Sequence, residues 1–90
     1  MDPRRLELLL ALSRLGSMRE VADTSGVSTS TVSQQLAVLA KEAGAVLLEP
    51  TGRRVRLTPA GHRLAAHAVT ILAAIDAARA DLDPASDTVG

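Results

Sequence analysis

The apolar positions of this chain fall into four helical stretches and one short alternating one. Asp2-Pro3 reads as an N-cap followed by proline in a first helical turn. The helix they open carries Leu6, Leu9 and Leu10 on one stripe, widened by Leu8, Leu12 and Leu15, and Gly16 is its natural stop. So much leucine fits either an ordinary core helix or one buried also against a second subunit. Ser17 and Glu20 then stand at capping-box spacing, which predicts that each satisfies an orphan amide of the other. A short helix follows with Met18, Val21 and Ala22 inward. It ends near Thr24, where Ser25-Gly26-Val27 supplies a tight turn and Val27 is placed to plug the core.

Ser28 caps a third helix whose inward face is Val32, Leu36 and Leu39. At about 100° per residue its opposite face holds Ser30, Ser33, Gln34, Ala37 and Lys41, with Thr29 and Thr31 flanking the first turn. Helix, glycine turn, apolar plug and capped helix in this order make a helix-turn-helix. The segment from Ser17 to Lys41 is therefore the part expected to meet a major groove. Short polar side chains on a helix start are, in most proteins, plain solvated surface. On the second helix of this motif they can approach base edges, a glutamine pairing with adenine and hydroxyls with several partners. The helix N-terminus can also donate amides to a phosphate.

Gly44 stops the third helix. Ala45 to Glu49 reads as a strand, Pro50-Thr51-Gly52 as a turn and Arg53 to Leu57 as the returning strand. Alternation puts Val55 and Leu57 on the core side and Arg54 and Arg56 outward. A basic hairpin after a helix-turn-helix reads as a wing, its Arg53, Arg54 and Arg56 reaching backbone phosphates or the adjacent minor groove. Thr58-Pro59 opens a fourth helix that runs to about Leu82, before Pro84. Along it Leu64, Ala68, Ile71, Ile75, Ala78 and Leu82 follow a 4-3-4-3-4 spacing, a heptad seam that Leu72, Ala65 and Ala74 broaden. Pairing with the same helix of another copy would cover this stripe economically; packing onto Leu6 to Leu15 of its own chain is the alternative. Residues 85–90 have linker composition, and the chain reads as cut rather than finished.

Composition narrows the function classes. The hydrophobic fraction is 47% with no Phe, Tyr or Trp, so Leu, Val, Ile and Ala fill the core and no aromatic can stack on unpaired RNA bases. With no cysteine there is no disulfide and no thiolate metal site, a composition suited to a reducing cytoplasm. No apolar run approaches the roughly 20 residues that span a bilayer. His62 and His67 are five apart, off metal-ligand spacing on a helix, and neither a phosphate loop nor a paired-carboxylate site is present. An enzyme is not expected, nor any cofactor or metal. The net charge of zero averages two unlike parts: nine basic against six acidic residues over 1–75, a balance of +3, and one against four over 76–90, a balance of −3. A basic body with an acidic tail fits a phosphate-binding module.

An ordered set of residues carries a family resemblance. It comprises Gly16-Ser17, Val21-Ala22, Val27-Ser28, Val32-Ser33-Gln34-Gln35-Leu36, Leu39, Gly44, Leu47-Leu48, Arg53-Arg54-Val55 and Leu57-Thr58-Pro59-Ala60-Gly61. From about Leu6 to Leu82 the chain resembles the N-terminal domain of LysR-type transcriptional regulators. The resemblance implies a mainly α fold: a winged helix-turn-helix of three helices and a two-stranded wing over residues 1–58, a dimerising linker helix over 59–82, and a hinge over 83–90 towards an effector-binding domain that is absent. It also implies a bacterial, cytoplasmic, nucleoid-associated protein that binds palindromic promoter DNA as a homodimer or tetramer. Its small-molecule effector would act only through that C-terminal domain. The expected base readers are Thr29, Ser30, Thr31, Ser33 and Gln34; the backbone and wing contacts are Ser17, Ser28, Lys41, Arg53, Arg54 and Arg56; the dimer seam is Leu64, Ala68, Ile71, Leu72, Ile75, Ala78 and Leu82. The chain departs from the family in having Leu48 where Phe is usual, Pro50 for a basic residue, Leu39-Ala40 for Leu-Glu, and Gln34 where arginine is common. The rival readings are a winged helix that docks proteins and a stand-alone short repressor.

Overall fold

A computed structural model describes residues 1–87. Helix α1 spans Pro3–Leu15, α2 Met18–Ser25 and α3 Thr29–Ala43; strands β1 (Leu48–Thr51) and β2 (Arg54–Leu57) form an antiparallel hairpin; α4 spans Pro59–Leu82. Each helix begins where a side chain caps it. Asp2 accepts from the Arg4 amide at 2.9 Å, Ser17 from Glu20 at 3.3 Å, Ser28 from Thr31 at 3.1 Å and Thr58 from Gly61 at 3.0 Å. The Arg4 guanidinium and amide beside Asp2 hold its carboxyl below the usual carboxylate range. Only half of the expected capping box forms: among the described residues the Ser17 amide does not return a bond to the Glu20 carboxylate.

The core is aliphatic. Leu6, Leu9 and Leu12 of α1 are buried against Val21 and Ala22 of α2, Val32, Leu36 and Leu39 of α3, and Ala65 and Ala68 of α4, with Leu47 and Leu57 closing it at the base of the wing. Burying a leucine contributes about 1.5–3 kcal/mol, so α1, which packs on all three other helices, is the keel of the domain. This favours the core-helix reading of its leucines. Leu15 lies outside that core, exposed at the end of α1.

Three expectations are corrected here. Val27 does not plug the core but is 41% exposed, because the α2–α3 turn lies at the rim, over an open groove beside Leu8 and Ala11. The strands are shifted: β1 runs through Pro50 to Thr51, and the turn is Gly52-Arg53, with Gly52 at φ 62°. A glycine opening a two-residue turn matches the twist of the strands it joins. Val55 is exposed while Leu57 is buried, since the ribbon leaves the core two residues after its base. At the chain's end, residues 84–87 form a single 3₁₀ turn.

The join between wing and α4 explains the Leu-Thr-Pro-Ala-Gly run. Thr58 donates its hydroxyl to the Val46 carbonyl at 2.6 Å and its amide to the Leu47 carbonyl at 3.0 Å, while its oxygen caps Gly61. Gly61 is buried so tightly that a β-carbon there would run into the Leu47 carbonyl oxygen and the Leu57 side chain. The division at residue 58 expected from the sequence therefore runs through a continuous core: Gly61, Ala65 and Ala68 belong to it.

Candidate nucleic-acid interface

Because Val32, Leu36 and Leu39 are fully buried, the opposite side of α3 is forced outward. Thr29, Ser30, Ser33, Gln34, Ala37 and Lys41 are all exposed there. Four of the five expected base readers thus share an open surface. The fifth does not: Thr31 is half-buried on the α1 side, bordering the groove with Leu8 and Val27, and its hydroxyl lies 3.0 Å from the Ser28 hydroxyl. Ser28 spends its side chain on this cap. The adjacent glutamines part company for a specific reason. Arg5 donates its Nε–H to Gln35 Oε1 at 2.8 Å and pairs with Glu42 at 3.3 Å, so Gln35 ties α3 to α1 while the Gln34 side chain makes no hydrogen bond among the described residues. The sequence reading missed this bond; the signal available was Gln35 falling on the edge of the buried face.

The tip of the wing shares a cleft with Thr29, the first residue of α3. It faces the start of α2 across this cleft, which is lined by Ser17, Arg19, Glu20, Thr29, Arg53 and Arg54. Arg53 and Arg54 are exposed and have no side-chain partner among the described residues. Arg56 differs: it sits opposite Glu49 in the hairpin register and pairs with it at 2.8 Å. An exposed pair of this kind is worth about 0–1 kcal/mol, yet it neutralises Arg56 locally and leaves two open charges on the wing rather than three. Lys41, in the last turn of α3, is exposed and borders a shallower groove with Ala37 and Val46.

The seam residues of α4 divide between two roles. Ala68 is enclosed by its own core, and Leu64 and Leu72 pack partly against it. Ala68 therefore drops out as a surface group. Ile71, Ala78 and Leu82 are exposed, Leu82 at 77%, and Ile75 is half-buried. Beyond Leu72 the helix leaves the body, and the molecule reaches 59 Å along its longest axis against 26 and 19 Å across. Among the described residues no helix is long and apolar enough to cross a membrane, and no cluster of three potential metal ligands forms.

Comparison with known proteins bears on this arrangement. Residues 3–62 match the family described as bacterial regulatory helix-turn-helix protein, lysR family. The chain is 43% identical over 72 residues to the hydrogen peroxide-inducible genes activator of Haemophilus influenzae, covering 80% of this chain and 24% of that protein. It matches the dual regulator OxyR of Escherichia coli at the same identity and coverage. The chain thus spans about a quarter of the length of these relatives. Among solved structures, the CbnR DNA-binding domain in complex with DNA superposes with a TM-score of 0.86 at 30% identity, covering 96% of this chain and 99% of that one. The BenM DNA-binding domain with its catB site 1 DNA gives 0.83 at 28% identity, covering 97% and 98%. The mainly helical fold with a two-stranded hairpin is the winged helix of these domains.

Proposed function

The chain belongs to the LysR family of bacterial regulatory helix-turn-helix proteins, and on that premise we propose that it binds double-stranded promoter DNA sequence-specifically. Helix α3 lies in the major groove and the wing on the backbone or adjacent minor groove. The observation that carries this reading is the exposed face of α3, where Thr29, Ser30, Ser33 and Gln34 project short uncharged side chains near a wing with two arginines that are unpaired among the described residues. A surface this low in profile lets the helix approach base edges, and Gln34 has the geometry to bond adenine on two atoms. The arginines supply the sequence-independent attraction that positions the helix.

One copy carries too few open charges for tight binding, so the site is read by a homodimer on a palindrome. Ile71, Ile75, Ala78 and Leu82 of α4 form its seam, residues 59–82 act as the linker helix, and residues 83–90 lead towards an effector-binding domain. The regulator works in the bacterial cytoplasm, on the nucleoid, and needs no cofactor of its own. The test is affinity for a duplex selected from a random pool, measured between about 50 and 200 mM salt. A linear fall of log affinity with log salt is expected. Absence of duplex binding at low salt, or a flat response, refutes the proposal and favours a protein-docking winged helix.

A further inference from the structure

We infer that Arg19 is a DNA-contacting residue that grips the same stretch of phosphate backbone as the wing, so that the cleft between α2 and the wing tip works as a clamp. The inference rests on the DNA-binding reading above and adds a residue and a geometry to it. Arg19 is the second residue of α2 and is exposed. It lines the same cleft as Arg53 and Arg54, approached from the opposite wall. Of the molecule's cations, Arg4, Arg5 and Arg56 are each held by a carboxylate within 3.3 Å. Arg19, Arg53 and Arg54 are not so held among the described residues. Three unneutralised guanidinium groups facing one cleft repel one another, and a polyanion threading between them removes that repulsion. Guanidinium groups also match phosphate oxygens with two parallel donors each.

The cleft is not purely basic. Glu20 lines it too, next to Arg19, and leaves a balance of three positive against one negative. Its amide caps to Ser17, but its carboxylate makes no hydrogen bond or ion pair among the described residues. It therefore weakens the cleft's hold on an anion without closing it. Thr29, the first residue of α3, borders the same cleft. A strand of backbone held there sits directly beside the base-reading face, which fixes the rotation of α3 in the groove.

The test uses the whole chain and a duplex selected from a random pool, in which single phosphates are replaced by neutral methylphosphonates. Wild type is expected to lose affinity at one or two adjacent positions near each half-site. Arg19→Ala should lower the salt slope by about 1 per protomer, about 2 for the dimer, and become insensitive to replacement at those same positions, and Arg54→Ala should do likewise. Arg79→Ala, an exposed arginine near the far end of α4, should leave the slope unchanged. Glu20→Gln should raise affinity for all duplexes alike. Unchanged slope and phosphate sensitivity in Arg19→Ala, with wild type binding normally, overturns the clamp while leaving the DNA reading intact. So does mapping of Arg19 and Arg54 to phosphates on separate stretches. Failure of wild type to bind any duplex overturns both.

Discussion

Arg5 reaches from the first turn of α1 to Gln35 in the middle of α3, and its Nε–H lies 2.8 Å from the glutamine oxygen. This bond separates two adjacent glutamines into one that holds the fold and one that faces outward. Gln34→Ala should cost about 1–3 kcal/mol at one base position of the selected duplex and relax preference there. Gln35→Ala should leave base preference alone and lower stability instead, by about 1.5–3 kcal/mol for a bond to a charged donor, less where water replaces it. Binding to a panel of single-base variants, with urea unfolding in parallel, distinguishes the two. Equal loss across the panel for Gln34→Ala would mean that the residue touches only backbone.

Gly61→Ala sets two effects against each other. Alanine improves helix propensity by about 1 kcal/mol, but the new methyl meets the Leu47 carbonyl oxygen, which is backbone and cannot rotate away. Overpacking of this kind costs about 1–3 kcal/mol and prises Thr58 from its two carbonyl partners. Net destabilisation is expected, read as a lower urea midpoint with unchanged m value. A midpoint at or above that of wild type would show that the joint has slack.

The exposed stripe on α4 predicts dimers. Ile71 is 37% exposed, beyond most of the core, so Ile71→Asp should leave the helical content of the monomer intact while abolishing self-association in sedimentation equilibrium. A wild-type chain that sediments as a monomer at all concentrations removes the basis for the seam.

Asp2 carries a pH dependence. Its carboxyl is held below the usual range first by the Arg4 side chain and then by the Arg4 amide. A depressed folded value means that the cap's contribution is fully present above the unfolded value, about 3.9, and is lost as the pH falls through the depressed one. Carboxyl carbon shifts in an NMR titration should place Asp2 below ordinary aspartate, and Arg4→Ala should bring it back up. No change on removing Arg4 would contradict the assigned cause.

How much of this was legible in the sequence depends on the range over which each signal acts. Caps at Asp2, Ser28 and Thr58 could be read directly because a cap is decided within three residues. Leu36 and Leu39 were readable from helical period alone, and their burial fixes the outward face of α3. The wing was found but misregistered. Pro50 looks like a turn former, yet a two-stranded ribbon is all edge and tolerates a residue without an amide. Val55 alternates correctly with Leu57, but alternation cannot tell how far the core extends along a strand. For Ala68 a heptad seam and a buried stripe have nearly the same period, so only the docking of α4 onto α1 decides between them. The Arg5–Gln35 bond and the meeting of Arg19 with the wing join residues about thirty apart, and no local pattern announces either.

Thr58 fastens α4 to the base of the wing with its hydroxyl and its amide together. The 24 residues that follow make a rod about 36 Å long. A rotation of about 5° at the foot of such a rod swings its far end by about 3 Å, close to the rise of one base pair. The stiffness of the Thr58 joint, together with the packing of α4 on α1, therefore sets an angular tolerance. In a dimer joined along these rods, that tolerance decides whether two recognition helices can be placed one helical turn of DNA apart or fall out of phase with it.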